Sequence, residues 1–141
     1  TLDLLKSKMV IRQKMITNFL IINCIGKDDK LGLGINKDFF IHNFKNKKFN
    51  NEQLVLEVSN FLDDHKVQLD GKFSVIVNQG PGSFSGIRTS LAVAKGIKIS
   101  KKVKLFGYKN QDLQSFDQEN IEKLLKKRLI EKKLIKPIYL S

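Results

Sequence analysis

A glycine-rich segment is the part of the sequence whose residue types could do chemistry. Residues 79–88 read QGPGSFSGIR and lie between an apolar run and a helical run. Backbone amides at a helix start attract anions, and a serine at that place can cap the helix. We therefore predict a signature loop that either contacts an anion or nucleotide or only shapes the turn, formed by Gly80, Pro81, Gly82, Ser83, Phe84, Ser85, Gly86 and Arg88.

The spacing within this segment excludes three familiar reaction motifs. It lacks the lysine of a GxxxxGK[ST] phosphate loop and the GxGxxG order, and Phe84 stands where a GxSxG elbow needs its serine. The two histidines, His42 and His65, have no evident orienting partner in the sequence and no metal-binding spacing. We predict no catalytic residue, no metal site and no cofactor.

Periodicity predicts the elements that hold this loop. The runs FLIINCI, LGLGIN and DFFIHNF predict an antiparallel meander of three strands, and FSVIVNQ and VKLFGY predict two more. Residues 50–65 carry apolar side chains at helical spacing, and residues 86–100 predict a second helix. Val55 and Leu56 lie off the apolar stripe of the first helix, which predicts a second contact, either inside the protein or with a partner.

The length of 141 residues favours one domain with a small appendage. We interpret residues 1–14 as an upstream extension, with a brief amphipathic helix as the alternative, and residues 15–108 as the main domain. Residues 109–141 would form a shortened second lobe, with a helix over 117–133 and a terminal strand IYL after Pro137. The apolar face of that helix would be Ile121, Leu124, Leu125 and Leu129.

The formal charge of +12 raises the possibility of nucleic-acid binding. Only Arg12, Arg88 and Arg128 are arginine, and the lysine excess accompanies many Asn and Ile residues, which indicates AT-rich codon usage more than a phosphate-binding groove. The single cysteine and the lack of a long apolar run favour a cytoplasmic protein without membrane association.

The string GPGSFSGIRTSLAVAKGI resembles the signature loop and helix of the TsaB (YeaZ) family, non-catalytic Gcp-like (M22-type) relatives of TsaD. FLIINC and VKLFGY resemble the family's flanking strands, and KPIYLS resembles its closing strand. The resemblance implies an α/β fold of the actin-like ATPase (ribonuclease-H-like) type: a mixed five-stranded sheet flanked by helices, followed here by a helix-strand remnant. Asn23 stands where active members of that superfamily usually have an aspartate, which argues against ATP hydrolysis.

The function implied by the resemblance is that of a non-catalytic scaffold and activator. Such a protein forms a heterodimer with TsaD, works with a TsaE-type ATPase and meets tRNA through the complex, in the formation of N6-threonylcarbamoyladenosine. The implied partner interface lies on the two helices and comprises Leu54, Val58, Phe61, Ile87, Leu91, Ala94 and Gly96. These side chains could instead cover the sheet of the chain itself.

Two other functions stay open. One is a peptidase-like or nucleotide-hydrolysing enzyme of the glycoprotease superfamily. The other is a tRNA-binding module formed by the lysine-rich residues 95–141.

Overall fold

A computed structural model of the chain describes residues 16–44, 50–128, 130–132 and 135–138. The proposed extension over 1–14 and the core position given to Leu129 lie outside these residues. The elements, in chain order, are β1 (Phe19–Asn23), β2 (Lys30–Ile35), β3 (Asp38–Asn43), α1 (Asn51–Asp64), β4 (Ser74–Asn78), α2 (Phe84–Lys101), β5 (Lys104–Tyr108), a 3-10 turn (Asn110–Asp112) and α3 (Gln118–Lys126).

The strands form one mixed sheet in the order β3-β2-β1-β4-β5. Short turns join β1, β2 and β3, so these strands pair antiparallel. The helical crossovers α1 and α2 make β1, β4 and β5 run parallel. The predicted α/β fold with a mixed five-stranded sheet is confirmed.

The helices cover both faces of this sheet. Alternate residues of β1 point to opposite sides: Leu20 and Ile22 pack with α1 and α2, whereas Phe19 and Ile21 pack with α3. The central strands β1 and β4 are buried along their whole length. The carboxyl ends of β1, β4 and β5 therefore meet at one edge of the sheet, where the glycine-rich loop begins.

The tail differs from the prediction. Helix α3 begins after Asp117, whose side chain accepts a hydrogen bond from Asn120 N at 2.8 Å, but it ends at Lys126 instead of residue 133. Arg128 has a φ of 57°, which no helix continues through, and Glu131 then pairs with Gly107 of β5. Part of the predicted terminal strand lies outside the described residues, and Ile138 is not in a strand.

None of the described helices is long and apolar enough to cross a membrane.

Candidate functional site

The glycine-rich loop packs directly on the turn between β1 and β2. Ser83 N donates to Ile25 O at 2.7 Å. A Cβ on Gly82 would lie 2.7 Å from the Cβ of Ile25, and a Cβ on Gly86 would lie 2.6 Å from the carbonyl oxygen of Cys24. Both glycines are therefore required for backbone contact between the loop and this turn.

The start of the loop is held by the tail. Gly80 has a φ of 99°, and a Cβ there would lie 2.5 Å from the carbonyl oxygen of Ile138. The side chain of Gln79 donates to Lys136 O at 3.0 Å, and Ile138 N donates to Gln79 O at 2.7 Å. The segment 135–138 thus runs beside residues 79–80 and fixes where the loop begins.

A neutral polar network lies under the loop at the carboxyl ends of the parallel strands. Asn78 Nδ2 donates to Asn23 Oδ1 at 2.7 Å and to Asn110 Oδ1 at 3.1 Å, while Asn78 Oδ1 accepts from Gly80 N at 2.8 Å. Tyr108 donates to Asn23 Oδ1 at 3.4 Å, and burial raises the pKa of its phenol. The network carries no charge, and it ties the loop to the sheet.

The neighbouring β1–β2 turn holds two carboxylates, the exposed Asp28 and the partly buried Asp29. Asp29 Oδ1 accepts from Ile25 N at 3.0 Å and from Gly26 N at 2.9 Å. Burial nevertheless raises its pKa above the ordinary value, helped by the charge of Asp28, because desolvation outweighs the hydrogen bonds from the backbone amides of residues 25–27. Among the described residues no three His, Cys, Asp or Glu side chains converge as metal ligands would.

One side of the first turn of α2, with Phe84, Ser85 and Arg88, faces outward beside the loop. The helix begins at Phe84, two residues before the predicted start, and Ser83 occupies the capping position without making a capping hydrogen bond through its side chain. The Arg88 guanidinium lies 5.1 Å above the ring of Phe84, which is 56% exposed. Gly80 is buried, Ser85 and Arg88 are exposed, and Pro81, Gly82, Ser83 and Gly86 are partly exposed.

The predicted partner interface is mostly inside the protein. Six of its seven residues are buried in the chain's own core, namely Leu54, Val58, Phe61, Ile87, Leu91 and Ala94. Gly96 alone is exposed, and a Cβ there would meet nothing within 4 Å. These six side chains cover the sheet, because they belong to one core cluster with the inward side chains of β1, β2, β4 and β5. A partner on the described surface would touch other residues of the same helices.

Those other residues form one outward stripe on each helix. On α1 the exposed residues at helical spacing are Glu52, Leu56, Ser59, Asn60 and Asp63. On α2 they are Ser85, Arg88, Ala92, Lys95, Gly96 and Ile99. Val55 and Leu56 are 47% and 60% exposed, so a second apolar face of α1 exists but no described element packs on it. Ile99, at 74%, is the most exposed large apolar residue of the described chain.

Of the α2 stripe, the sequence-based predictions include Ser85, Arg88 and Gly96 but not Lys95 or Ile99, although the signal is present in the sequence. Ser85, Ala92 and Ile99 recur every seven residues, with Arg88 and Lys95 beside them. Such spacing places side chains along one side of a helix. Apart from Gly96, the predicted interface residues are apolar positions, and these face the sheet.

The structure also gives His42 a partner that the sequence did not suggest. Its Nε2 contacts the Glu57 carboxylate of α1, and its ring lies 5.4 Å from that of Phe61. His65 stacks on Phe40 with ring centroids 4.1 Å apart. Both histidines therefore connect β3 with α1, and neither hydrogen-bonds to Ser83 or Ser85 in the described structure.

Comparison with known proteins finds similarity in structure but not in sequence. No protein-family model matches the chain, and no curated protein matches its sequence. YeaZ from Pseudomonas aeruginosa is similar in structure, with a TM-score of 0.61 and 17% identity over 69% of this chain and 46% of that one. A protein described as uncharacterized with similarity to peptidase YEAZ, from the same organism, has the same TM-score and identity over 69% and 45%.

The chain thus spans less than half the length of these two structures. What they share with it is the architecture that supports the site: a mixed five-stranded sheet with flanking helices. The described residues have a YeaZ-like α/β fold.

Proposed function

We propose that this chain is a non-catalytic partner of a TsaD-type protein in the formation of N6-threonylcarbamoyladenosine in tRNA. The observation that carries the proposal is the exposed apolar surface along α1 and α2, on a YeaZ-like fold. Leu56 and Ile99 project from the outer sides of these helices with 60% and 74% of their surface exposed. Each lies on its own helix, and an exposed large apolar side chain can serve as an anchor that a protein interface buries.

Small residues add to this surface on α2. Ala92 and Gly96 are exposed next to Ile99, and space around Gly96 is open to 4 Å. Small side chains let another helix approach closely, and a larger neighbour such as Ile99 then supplies area to bury. The loop supports the proposal indirectly, because its contacts with the β1–β2 turn fix where α2 begins.

An enzyme of the glycoprotease type remains a different proposal, and the loop geometry does not favour it. A serine nucleophile requires a base within hydrogen-bonding reach. In the described structure Ser83 Oγ lies 3.5 Å from Ser85 Oγ, and the histidines contact α1 and β3 instead. A partner-binding role needs no such constellation.

Association with a TsaD-type protein from the same genome tests the proposal. We expect the full chain to form a 1:1 complex in light scattering coupled to size exclusion. Leu56→Asp and Ile99→Asp should each weaken it at least about tenfold, since truncating or charging an interface anchor costs about 1–4 kcal/mol.

Ile41→Asp is the matched control. Ile41 is 42% exposed on the edge strand β3, away from α2, so its variant should bind like the unmodified chain. Circular dichroism would establish that all three variants are folded. Equal binding by the Leu56, Ile99 and Ile41 variants would refute the assigned surface, and no binding by the unmodified chain would refute the function.

A further inference from the structure

Helices α1 and α2 carry opposite charge. Between Asn51 and Asp64 there are four acidic residues and no lysine or arginine, namely Glu52, Glu57, Asp63 and Asp64. Between Phe84 and Lys101 there are four basic residues and no acid, namely Arg88, Lys95, Lys98 and Lys101. The two helices are in contact on the same face of the sheet, so an acidic surface lies beside a basic one.

The charges lie where a partner would meet them. Glu52 and Asp63 flank Leu56 on the outward stripe of α1, and all three are exposed. Arg88 and Lys95 accompany Ile99 on the outward stripe of α2 and are exposed too. On each stripe one charge lies about one helical turn from the apolar side chain, Glu52 from Leu56 and Lys95 from Ile99, and the second charge of the same sign lies two or three turns away. An apolar residue with charges around it is the arrangement of an interface core with a polar rim.

The overall charge argues against a second copy of this chain as the occupant. A two-fold pair could place α1 of one copy against α2 of the other, but each copy brings a formal charge of +12. Like net charges of this size slow encounter and oppose association. A partner of net negative charge has no such penalty.

We propose, resting on the proposed function above, that the TsaD-type partner is recognised by charge polarity. Its docking surface presents basic side chains to α1 and acidic side chains to α2, on either side of an apolar centre that receives Leu56 and Ile99. Its net charge is negative. The polarity fixes which of its elements lies on which helix, because the reversed placement would set like charges against each other on both helices.

Charge reversal on α1 separates local polarity from overall charge. Glu52→Lys with Asp63→Lys makes the chain more positive by four charges. If only net charge guided an acidic partner, association would become faster; polarity predicts that it slows about tenfold at low salt and that the complex weakens. Arg88→Glu with Lys95→Glu should also slow association, and added NaCl should reduce the difference between each variant and the unmodified chain.

A matched control exists on the other face of the sheet. Glu119→Lys with Glu122→Lys on α3 adds the same four charges, and Glu119 occupies the first turn of its helix as Glu52 does. This variant should associate as fast as the unmodified chain or faster. Stopped-flow or surface plasmon resonance with the purified TsaD-type protein gives the rates, and circular dichroism monitors folding.

The outcomes are distinct. If the unmodified chain binds and the α1 variant associates as fast as the α3 control, charge polarity is refuted while the proposed function stands. If the unmodified chain does not bind, both are refuted. If the chain alone forms a dimer that the α1 and α2 reversals dissociate, the occupant is a second copy, and the acidic partner is refuted.

Discussion

Two glycines of the same helix should respond oppositely to the same substitution. Gly86 lies in the first turn of α2, where a Cβ would be 2.6 Å from the Cys24 carbonyl oxygen, whereas ordinary contact begins at 3.4 Å. The loop and the β1–β2 turn must therefore separate by about 0.8 Å in Gly86→Ala. Overpacking of this kind costs about 1–3 kcal/mol, and the helix propensity of alanine offsets at most about 1 kcal/mol of it.

Gly96→Ala is the control within α2. Nothing lies within 4 Å of its Cβ position, so only the gain in helix propensity remains, and we expect stabilisation of about 0.5–1 kcal/mol. Urea unfolding followed by far-ultraviolet circular dichroism gives both free energies of unfolding. The expected result is a destabilised Gly86 variant and a stabilised Gly96 variant. If Gly86→Ala were as stable as Gly96→Ala, the loop glycines would not serve close packing, and a ligand-binding role would be the better explanation.

Two further predictions concern the polar residues around the loop. Asn78→Ala should lower the free energy of unfolding by about 2–3 kcal/mol, because it leaves Gly80 N without its buried acceptor and removes the 2.7 Å hydrogen bond to Asn23 Oδ1. Tyr108→Phe removes only the 3.4 Å hydrogen bond to the same oxygen and should cost under about 1 kcal/mol. Urea unfolding compares the two variants, and equal losses would contradict the network. Because the pKa of Asp29 is raised in the folded protein, the folded state binds the proton of its carboxyl group more tightly than the unfolded state does. The free energy of unfolding should therefore fall as pH rises from the ordinary carboxyl pKa through the raised one. Asp29→Asn should remove that part of the pH dependence, and parallel curves of stability against pH for the two proteins would refute the prediction.

The sheet and its main helices could be predicted from the sequence, because each element has an apolar pattern within its own residues. FLIIN and SVIVN are continuous apolar runs, as strands buried on both faces require, and both are strands. The stripe of Leu54, Val58 and Phe61 predicted α1, which Asn50 caps by accepting from Gln53 N at 2.9 Å. Short polar turns between the first three strands predicted their antiparallel pairing.

Contacts between residues that are far apart in the chain could not be predicted from the sequence. The apolar periodicity of α1 and α2 marks the side that attaches to the sheet, so choosing interface residues by apolarity selected buried positions such as Leu54 and Ile87. His42 of β3 contacts Glu57 of α1. These residues belong to different elements, so no periodic pattern within either element predicts the contact. The early end of α3 follows from the left-handed backbone of Arg128 and the pairing of Glu131 with Gly107, neither of which alters the apolar period.

We propose that this chain assists a TsaD-type protein and has no chemistry of its own. The most direct measurement is transfer of the threonylcarbamoyl group from threonylcarbamoyl-adenylate to tRNA by the purified TsaD-type protein, with and without this chain. We expect modified tRNA to form efficiently only with both proteins, and the Ile99→Asp variant to lose that stimulation while Ile41→Asp retains it. Modification that is independent of the chain, or turnover by the chain alone, would contradict the account.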